Sequence, residues 1–426
     1  MTPISFTIPK IMTTKILTIL AISTLAAISC KNDLNDPATA PDPAAIDTST
    51  TGTSVETVRP NSSYSPAFSG QTRIAGVRTS TPYEGRILTS NLSSPWGITP
   101  MPDGRLLITE KGGTMRIATA AGTLGQPITG LPAVNPAGQG GLLGVRVDPS
   151  FSTNRMVYWV FSESTADGNL TSVGKGRLSE TETTIENPTV IYRATPAYRG
   201  TAHYGGRILF DRDGNLLIST GERSDNATRT LAQSLNTGLG KIVRITKEGQ
   251  PAADNPFLGQ TDIRPEIYSF GHRNPQGLAI HPVTGDLWQT EHGPRGGDEL
   301  NRVESGKNYG WPVITYGLEY SGSAVGEAIQ RRDGMEQPAY YWDPVVSPSG
   351  ITFYNSDSIP EWKNNLFIGS LSGMHVVRLV IAGNRITGEE RLFTTENQRF
   401  RDITQGNDGA LYAITDAGRL YRIYKR

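Results

Sequence analysis

The stretch 267–301 concentrates polar and ionisable side chains around a short strand predicted at 286–290, with glycine and proline at each bend. These side chains are His272, Arg273, Asn274, His292, Arg295, Asp298 and Glu299. Buried packing does not require so many ionisable groups, because each needs a partner or water once it leaves solvent. Polar groups that converge on loops at strand ends are typical of sites on rigid β scaffolds. We therefore interpret this stretch as site-forming; the alternative is a solvated, charge-rich loop.

A candidate general base lies in a second stretch. His203 precedes a predicted strand at 208–210, and Glu222 follows another at 216–220. Neighbouring strands of one sheet bring two such side chains together, and a carboxylate that holds an imidazole suits it to act as a base. The alternative for a lone histidine is a structural role. That is also our interpretation of His281, which lies at a turn, and of His375, which we place in a strand.

Three arginines could bind an anion. A guanidinium such as that of Arg273 grips a carboxylate with two hydrogen bonds or stabilises a developing oxyanion, and its alternative is a salt bridge between sheets. Arg399 and Arg401 share one face of a predicted strand. Two such cations repel each other unless an anion lies beside them, and Asp402 is the alternative to a bound anion.

Hard oxygen donors could hold a metal in the bend at 292–297, which is followed by Asp298 and Glu299. Calcium accepts backbone carbonyls and carboxylates in loose geometry, although the spacing does not match an EF-hand loop. No cysteine–histidine cluster indicates zinc. No Walker or Rossmann glycine pattern occurs, which excludes the usual nucleotide cofactors. A glycine-rich bend at 138–144 carries one polar side chain, Gln139.

The elements that must position these residues are predicted by a repeat. Six segments each contain a turn followed by a short apolar strand: 102–110, 154–163, 212–220, 284–291, 363–370 and 407–415. Other strand-like runs lie between them and helical periodicity is nearly absent, which indicates an all-β fold. Six such units at blade-sized intervals predict a six-bladed β-propeller, and the alternative is a pair of β-sandwiches.

The N-terminal region and the composition predict the location of the protein and exclude one class of partner. An apolar run at 16–28 follows two lysines and ends near Cys30, so residues 1–30 are predicted to be a signal peptide with a lipoprotein-type lipobox; the alternative is simple secretion. Residues 31–81 are predicted to be a flexible tether and 82–426 the folded domain. We expect export to the periplasm or cell surface, with membrane contact only through a lipid on Cys30. The 40 basic and 40 acidic residues cancel, so no nucleic-acid partner is expected.

Seven segments together resemble the soluble, pyrroloquinoline-quinone (PQQ)-dependent glucose and aldose sugar dehydrogenases. They are GQGGLLG (138–144), HYGGRILF (203–210), SFGHRNPQGLAIHP (269–282), TEHGPRGGDELN (290–301), KNYGWP (307–312), PSGITFY (348–354) and QRFRDI (398–403). The resemblance covers residues 89–423. It implies a six-bladed propeller that binds PQQ and calcium, oxidises the C1 hydroxyl of an aldose sugar to a lactone, and passes electrons to an unidentified acceptor.

The resemblance also implies roles for individual residues. His203 matches the general base, Glu222 the carboxylate that supports it, and Arg273 and Asn274 the pair at the reactive edge of the quinone. Further positions match residues that bind the cofactor or substrate: Gln139, Arg399 and Arg401. The remaining positions match calcium ligands, with Gly293 and Pro294 at the cofactor's calcium and Asp298, Glu299 and Tyr309 at a structural one.

Two positions depart from the family pattern. Ser372 stands where the glucose enzymes have a lysine that pairs with the cofactor, and losing that cation should weaken binding by about 1–3 kcal/mol. Ala202 replaces an acidic residue, so the substrate preference of the glucose enzymes does not transfer. Two alternative functions follow: a calcium-dependent lactonase that needs no quinone, and a non-catalytic propeller that binds a glycan or a protein.

Overall fold

The computed structural model describes residues 52–426, which form six antiparallel sheets with almost no helix. The inner strands of the sheets contact one another in a closed cycle, so the fold is a six-bladed β-propeller, as the repeat predicts. The turn before the second strand of each blade contains a residue with positive φ. These residues are Gly104, Arg155, Gly214, Gly285, Asn364 and Gly409. Glycine and asparagine adopt this conformation at low cost, which is why the turns are visible in the sequence.

The strands are short and follow one another along the chain with little helix between them. The first twelve are β1 (Tyr83–Thr89), β2 (Pro95–Pro100), β3 (Leu106–Glu110), β4 (Thr114–Ala118), β5 (Leu142–Val147), β6 (Met156–Thr165), β7 (Gly168–Leu178), β8 (Ile185–Arg193), β9 (Ile208–Phe210), β10 (Leu216–Thr220), β11 (Lys241–Ile245) and β12 (Ile267–Phe270). The others are β13 (Pro275–Ile280), β14 (Leu287–Glu291), β15 (Asp298–Val303), β16 (Tyr340–Trp342), β17 (Pro348–Phe353), β18 (Leu366–Ser370), β19 (Val376–Ala382), β20 (Arg385–Leu392), β21 (Phe400–Gln405), β22 (Leu411–Thr415) and β23 (Leu420–Lys425). The short helices are α1 (Phe151–Asn154) and two 3-10 turns, Arg229–Ala232 and Pro360–Trp362.

Five blades follow the chain and the sixth closes the ring. The five are β2–β4, β5–β8, β9–β12, β13–β16 and β17–β20, and in the sixth β1 pairs with β23 beside β22 and β21. The first strand after the N-terminal segment thus completes the last blade. The innermost strands are β2, β5, β9, β13, β17 and β21. Their ends meet near the axis, where loops from separate blades come together.

Each repeat found in the sequence forms the second strand of a blade. Five of these strands, LLITE, LLIST, LWQTE, LFIGS and LYAIT, are buried along their whole length. Each blade lies between two neighbours, so both faces of its central strands are covered and the apolar run is continuous instead of alternating. Large indoles such as Trp159, Trp288 and Trp362 fill the spaces between sheets. The result is a rigid scaffold for the loops at its centre.

Two local predictions are wrong in detail. The strand predicted at 286–290 runs one residue later, as β14 (Leu287–Glu291). His375 lies just before β19 instead of within it, and its Nδ1 bonds the carbonyl of Gly373 at 2.6 Å. The structural role assigned to His375 is compatible with this contact.

The described part of the predicted tether, residues 52–81, contacts the propeller at several points. Gly76 pairs with Glu389 of β20, Ser62 bonds Asp343, and Thr81 bonds Glu361. The prediction of an unpacked segment is therefore wrong for 52–81. Apolar content misleads here, because buried carboxylates of the propeller hold this segment through its hydroxyl and backbone N–H groups.

The rest of the N-terminal prediction, including the signal peptide and Cys30, lies outside the described residues. Within 52–426 no helix has the length and apolar character needed to cross a membrane.

Candidate active site

A cavity of ≈ 440 Å³ lies where loops of separate blades meet. The predicted site residues that line it are Gln139, His203, Arg273, Gly293, Pro294, Arg399 and Arg401. Residues far apart in the sequence, from Gln139 to Arg401, therefore line one cavity. Two further predicted residues lie behind the wall: Glu222 bonds His203, and Asn274 accepts a hydrogen bond from the backbone N–H of Gly205 at 3.0 Å.

His203 and Glu222 form a buried pair, with Nδ1 and Oε1 2.6 Å apart. The backbone N–H of His203 donates to Oε1 of Gln139 at 2.8 Å, and His203 has a positive φ of 48°. Gly221 must be glycine, because a Cβ there would lie 2.2 Å from the His203 carbonyl oxygen. These contacts fix the imidazole with Nδ1 on the carboxylate, which leaves Nε2 for a ligand in the cavity.

The electrostatic environment favours a neutral imidazole. Burial lowers the pKa of His203 well below 6.5, and the charges of Arg273 and Arg223 lower it further. Burial also raises the pKa of Glu222 to about 7, although Arg273 opposes that shift. Above this pH the ionised carboxylate accepts a hydrogen bond from Nδ1–H. The lone pair of Nε2 is then available to take a proton from a ligand.

The cavity carries excess positive charge. Its lining includes Lys111, Arg273, Arg399 and Arg401, and none of the described lining residues is acidic. Behind the wall, the carboxylate of Asp416 accepts from Nε of Arg399 and from Nε of Arg401, each at 2.8 Å. Four cations and no carboxylate on the described lining itself give the cavity surface a positive charge that attracts an anion.

The anion beside the paired arginines is not the one considered in the sequence. Asp402 instead forms an ion pair with Arg207 and accepts the backbone N–H of Ile98 at 3.0 Å. Asp402 therefore ties blades together at the axis, while Asp416 compensates Arg399 and Arg401.

Several buried polar atoms near the cavity have no hydrogen-bond partner within 52–426. They include Nε of Arg273, Nδ2 of Asn274 and Nε2 of His292. Nε of Arg273 and Nδ2 of Asn274 are donors, and buried polar atoms without partners are costly, so they indicate a ligand that supplies hydrogen-bonding groups, including acceptors. Trp96 adds an aromatic ring to the wall, with the guanidinium of Arg401 6.0 Å from its centre. The residues present therefore fit a flat, polyanionic cofactor such as PQQ.

The bend after β14 offers carbonyl oxygens to a cation. Nη1 of Arg273 already donates to the carbonyls of His292 at 2.9 Å and Gly293 at 2.8 Å, and Pro294 lines the cavity beside them. Within 52–426 no group of three or more His, Cys, Asp or Glu side chains could hold a metal. A calcium ion at Gly293 and Pro294 would thus depend on backbone oxygens and on the bound cofactor, which its loose coordination permits.

The predicted structural calcium ligands are only partly brought together. Glu299 of β15 faces Glu291 of β14 across the ladder, and both line a small cavity with Tyr309. Burial and the Glu291 charge raise the pKa of Glu299 well above 4.5. The Tyr309 hydroxyl is occupied, since it donates to the Arg302 carbonyl at 2.7 Å.

Asp298 does not fit the predicted role of metal ligand. Its carboxylate accepts the backbone N–H groups of Gly293, Val346 and Ser347 at 2.8, 2.8 and 2.6 Å. Complete burial raises its pKa to about 7, and these donors oppose that shift. Asp298 instead joins the bend 292–297 to the loop 343–347.

Sequence reasoning missed several residues of the cavity wall. They are Trp96, Lys111, Gln276, His292 and Tyr320. His292 belongs to the site-forming stretch but received no role. Lys111 follows the glutamate at the end of β3, as His292 follows Glu291 at the end of β14, so comparison of equivalent blade positions could have identified it. Tyr320 lies in a long loop without any pattern, and only its bond to Nη2 of Arg273 at 3.2 Å places it.

The position of the family lysine is occupied by a hydroxyl network. Ser372 Oγ lies 2.7 Å from Oγ of Ser347, and Ser347 lines the cavity. The cations that remain come from Lys111 and the arginines.

Comparison with known proteins gives a consistent result. The family model described as Glucose / Sorbosone dehydrogenase matches residues 92–422. Aldose sugar dehydrogenase YliI of Escherichia coli (strain K12) is 42% identical over 345 residues, covering 80% of this chain and 92% of the relative. Quinoprotein glucose dehydrogenase B of Acinetobacter calcoaceticus is 26% identical over 413 residues, covering 78% of this chain and 85% of the relative.

Solved structures agree over the same part of the chain. The apo-form of the soluble aldose sugar dehydrogenase from Escherichia coli has a TM-score of 0.78 and 41% identity, covering 81% of this chain and 100% of that one. The PQQ-bound form of aldose sugar dehydrogenase from Streptomyces coelicolor has a TM-score of 0.67 and 28% identity, covering 82% and 99%.

Proposed function

This chain belongs to the Glucose / Sorbosone dehydrogenase family, and on that basis we propose that it is a PQQ-dependent enzyme that oxidises the C1 hydroxyl of an aldose sugar to a lactone. One observation carries the proposal. A histidine whose Nδ1 is held by a carboxylate shares a cavity with four cations and with unpartnered buried donors. A base and an anion-binding wall in one cavity are what a quinone-dependent alcohol oxidation needs.

The reaction divides between cofactor and protein. Bound PQQ supplies the acceptor for the hydride that leaves C1. His203 takes the proton of the C1 hydroxyl at Nε2, so that the C–H and O–H bonds break as the carbonyl of the lactone forms. Glu222 holds the tautomer that exposes the Nε2 lone pair and stabilises the imidazolium that results.

The cationic residues orient the cofactor. Arg399, Arg401 and Lys111 would hold its carboxylates, and Arg273 would lie at its reactive edge, where its charge favours the reduced, more negative form. The carbonyls of Gly293 and Pro294 would hold its calcium. Nη1 of Arg273 donates to the Gly293 carbonyl at 2.8 Å, so this guanidinium also holds the loop that would bind the calcium.

A dye-linked assay tests the proposal. The purified protein is loaded with calcium and PQQ and supplied with a panel of aldoses, and reduction of an artificial electron acceptor is followed. We expect turnover that requires both the quinone and an aldose with a free C1 hydroxyl. Turnover of lactones without the quinone would contradict the proposal in favour of a calcium-dependent lactonase.

Export remains a separate proposal. If Cys30 carries a lipid, the wild-type protein sediments with membranes of the producing bacterium and the Cys30→Ser variant does not. The physiological electron acceptor would then lie in the same compartment.

A further inference from the structure

We propose that residues 52–81, which we call the N-terminal arm, position the loops 292–297 and 343–347 at one wall of the active-site cavity. Asn61 and Ser62 are the positioning residues. This inference rests on the proposed function, because the ligand whose binding it affects is the quinone. The arm precedes the family match at 92–422. The Escherichia coli apo structure is matched over 100% of its length by 81% of this chain, which leaves about a fifth without a counterpart there.

The contact of the arm that lies nearest the cavity is made to a buried carboxylate, that of Asp343. Asp343 Oδ1 accepts from the backbone N–H of Asn61 at 2.9 Å and from its Nδ2 at 2.7 Å. Oδ2 accepts from the backbone N–H of Ser62 at 3.0 Å and from its Oγ at 3.1 Å. Asp343 is 3% exposed, so these donors replace the water that its charge would otherwise require. Arg73 adds a bond from Nη2 to the Asp343 carbonyl at 2.6 Å.

From Asp343 the backbone of one loop and the hydrogen bonds of Asp298 lead to the cavity. Asp343 begins the loop 343–347, whose residues 346 and 347 donate their backbone N–H groups to Oδ2 of Asp298. Oδ1 of Asp298 accepts the N–H of Gly293, and both Gly293 and Ser347 line the cavity. The arm is thus connected to the cavity wall at Ser347 and, through Asp298, at Gly293.

The arm also contacts the second loop directly. Oδ1 of Asn61 accepts a hydrogen bond from Nε of Arg295 at 3.1 Å, and Arg295 follows Pro294, which lines the cavity. Gly296 packs against Asp343 so closely that a Cβ would lie 2.6 Å from Oδ1. Because the arm already holds this loop, its carbonyls need not become ordered when a ligand binds. The free-energy cost of binding is therefore lower.

A second contact of the same arm provides a matched control. Oγ of Ser80 and Oγ1 of Thr81 each donate to the carboxylate of Glu361 at 2.7 Å, with the backbone N–H groups of both residues in support. These bonds lower the pKa of Glu361 to about 2. The chemistry resembles that at Asp343, but Glu361 is not among the residues that line the cavity.

The test compares two double variants of the full chain, Asn61→Ala/Ser62→Ala and Ser80→Ala/Thr81→Ala. PQQ dissociation constants are measured at saturating calcium, together with thermal midpoints and amide hydrogen exchange of the quinone-free protein. We expect similar drops in thermal midpoint, whereas only the first variant weakens PQQ binding, by about tenfold, within the range that residues remote from a ligand can contribute. The same variant should show faster exchange in 292–298 and 343–347.

The outcomes separate this inference from the proposed function. Equal PQQ affinities in wild type and in the Asn61/Ser62 variant, or equal weakening in both variants, would overturn the positioning role. If the wild type itself binds no PQQ, the proposed function fails, and exchange in the two loops still decides whether the arm positions them. Should the double variant not fold, Asn61→Ala and Ser62→Ala are measured singly, and Ser62→Thr, which keeps the hydroxyl, should retain wild-type affinity.

Discussion

Two similar histidine–glutamate pairs lie near the ends of the inner strands of successive blades. In each pair Nδ1 of the histidine faces Oε1 of the glutamate, at 2.6 Å for His203 and Glu222 and at 3.1 Å for His272 and Glu291, and in each the residues are 19 positions apart. Each histidine precedes the inner strand of its blade, β9 or β13, and each glutamate lies at or after the end of the second strand, β10 or β14. The two pairs thus share their spacing and their contact, but the His203 pair lies two residues further from its strands than the His272 pair.

The pairs differ at the second ring nitrogen. Nε2 of His272 bonds Oγ of Ser269 at 2.8 Å, its ring stacks on Tyr309 at 4.8 Å between centres, and the residue is 0% exposed. His203 instead lines the cavity. A carboxylate on Nδ1 is thus not sufficient for a base. The ring must also present a free Nε2 to substrate, and substitutions in the two pairs should separate these two requirements.

The largest effect is expected from His203→Ala. Removing the base should lower kcat/KM by about 10²–10⁴-fold, the usual contribution of general base catalysis. Thermal stability should also fall, because the variant leaves the buried carboxylate of Glu222 without its Nδ1 partner. Steady-state kinetics and calorimetry check this, and a loss below tenfold would show that the pair at the cavity is no more catalytic than its buried counterpart.

Glu222→Gln should have the next largest effect. The amide can donate to Nδ1 and so favour the tautomer with hydrogen on Nε2, which cannot accept a proton; we expect kcat to fall about 100-fold or more. In the wild type, activity should rise with pH through about 7 as the pair loses its proton. A pH–rate profile checks this, since the rise near pH 7 should be absent from the variant.

Glu222→Gln should also change how the free energy of unfolding depends on pH. The folded-state pKa of Glu222 is raised above 4.5 by burial, so at this group the folded state binds more protons and its contribution to wild-type stability falls as pH rises from 4.5 through 7. Glu222→Gln removes that dependence. Denaturant unfolding at pH 5 and pH 8 should therefore show the variant gaining stability relative to wild type at the higher pH, and an opposite trend would mean that Glu222 stays ionised.

His272→Phe should destabilise the protein without the large loss of activity expected for His203→Ala. It removes both ring hydrogen bonds and leaves Glu291 short of a donor in a buried site, so we expect a loss of about 2–4 kcal/mol in the free energy of unfolding. The change in kcat/KM should stay below tenfold. Urea unfolding with activity measured on the folded fraction tests this, and a loss of activity as large as for His203→Ala would remove the distinction between the pairs.

Ser269→Ala gives the smallest effect and isolates the partner of Nε2. We expect a destabilisation of about 1–2 kcal/mol from one lost buried hydrogen bond, with wild-type kinetics. Urea unfolding measures the difference, and a stability equal to that of the wild type would mean that Ser269 does not hold the structural histidine.

The fold was predictable because its signals are local. A positive-φ turn followed by an apolar run marks the second strand of all six blades, and these strands need no information from distant residues. His203, Arg273 and Arg401 were predictable as a set because their segments match a family pattern. Their convergence in one cavity follows from the ring of blades.

Contacts set by tertiary placement were not predictable. Asp416, not Asp402, compensates the paired arginines, because β22 runs beside β21 and its end places Asp416 next to them. The arm 52–81 looked unpacked because its composition is polar, yet its donors match buried carboxylates such as Asp343 that lie nearly three hundred residues away. Neither pairing has a signal in the sequence around it.

Single-turnover reduction of bound PQQ tests directly whether His203 acts as the base in a PQQ-dependent oxidation. Wild type and His203→Ala are loaded with calcium and PQQ, mixed rapidly with an aldose, and followed by the absorbance of the quinone. The account predicts one PQQ per chain with equal affinity in both proteins, and reduction at least about 100-fold slower in the variant. Equal rates of reduction, or no saturable binding by the wild type, would contradict it.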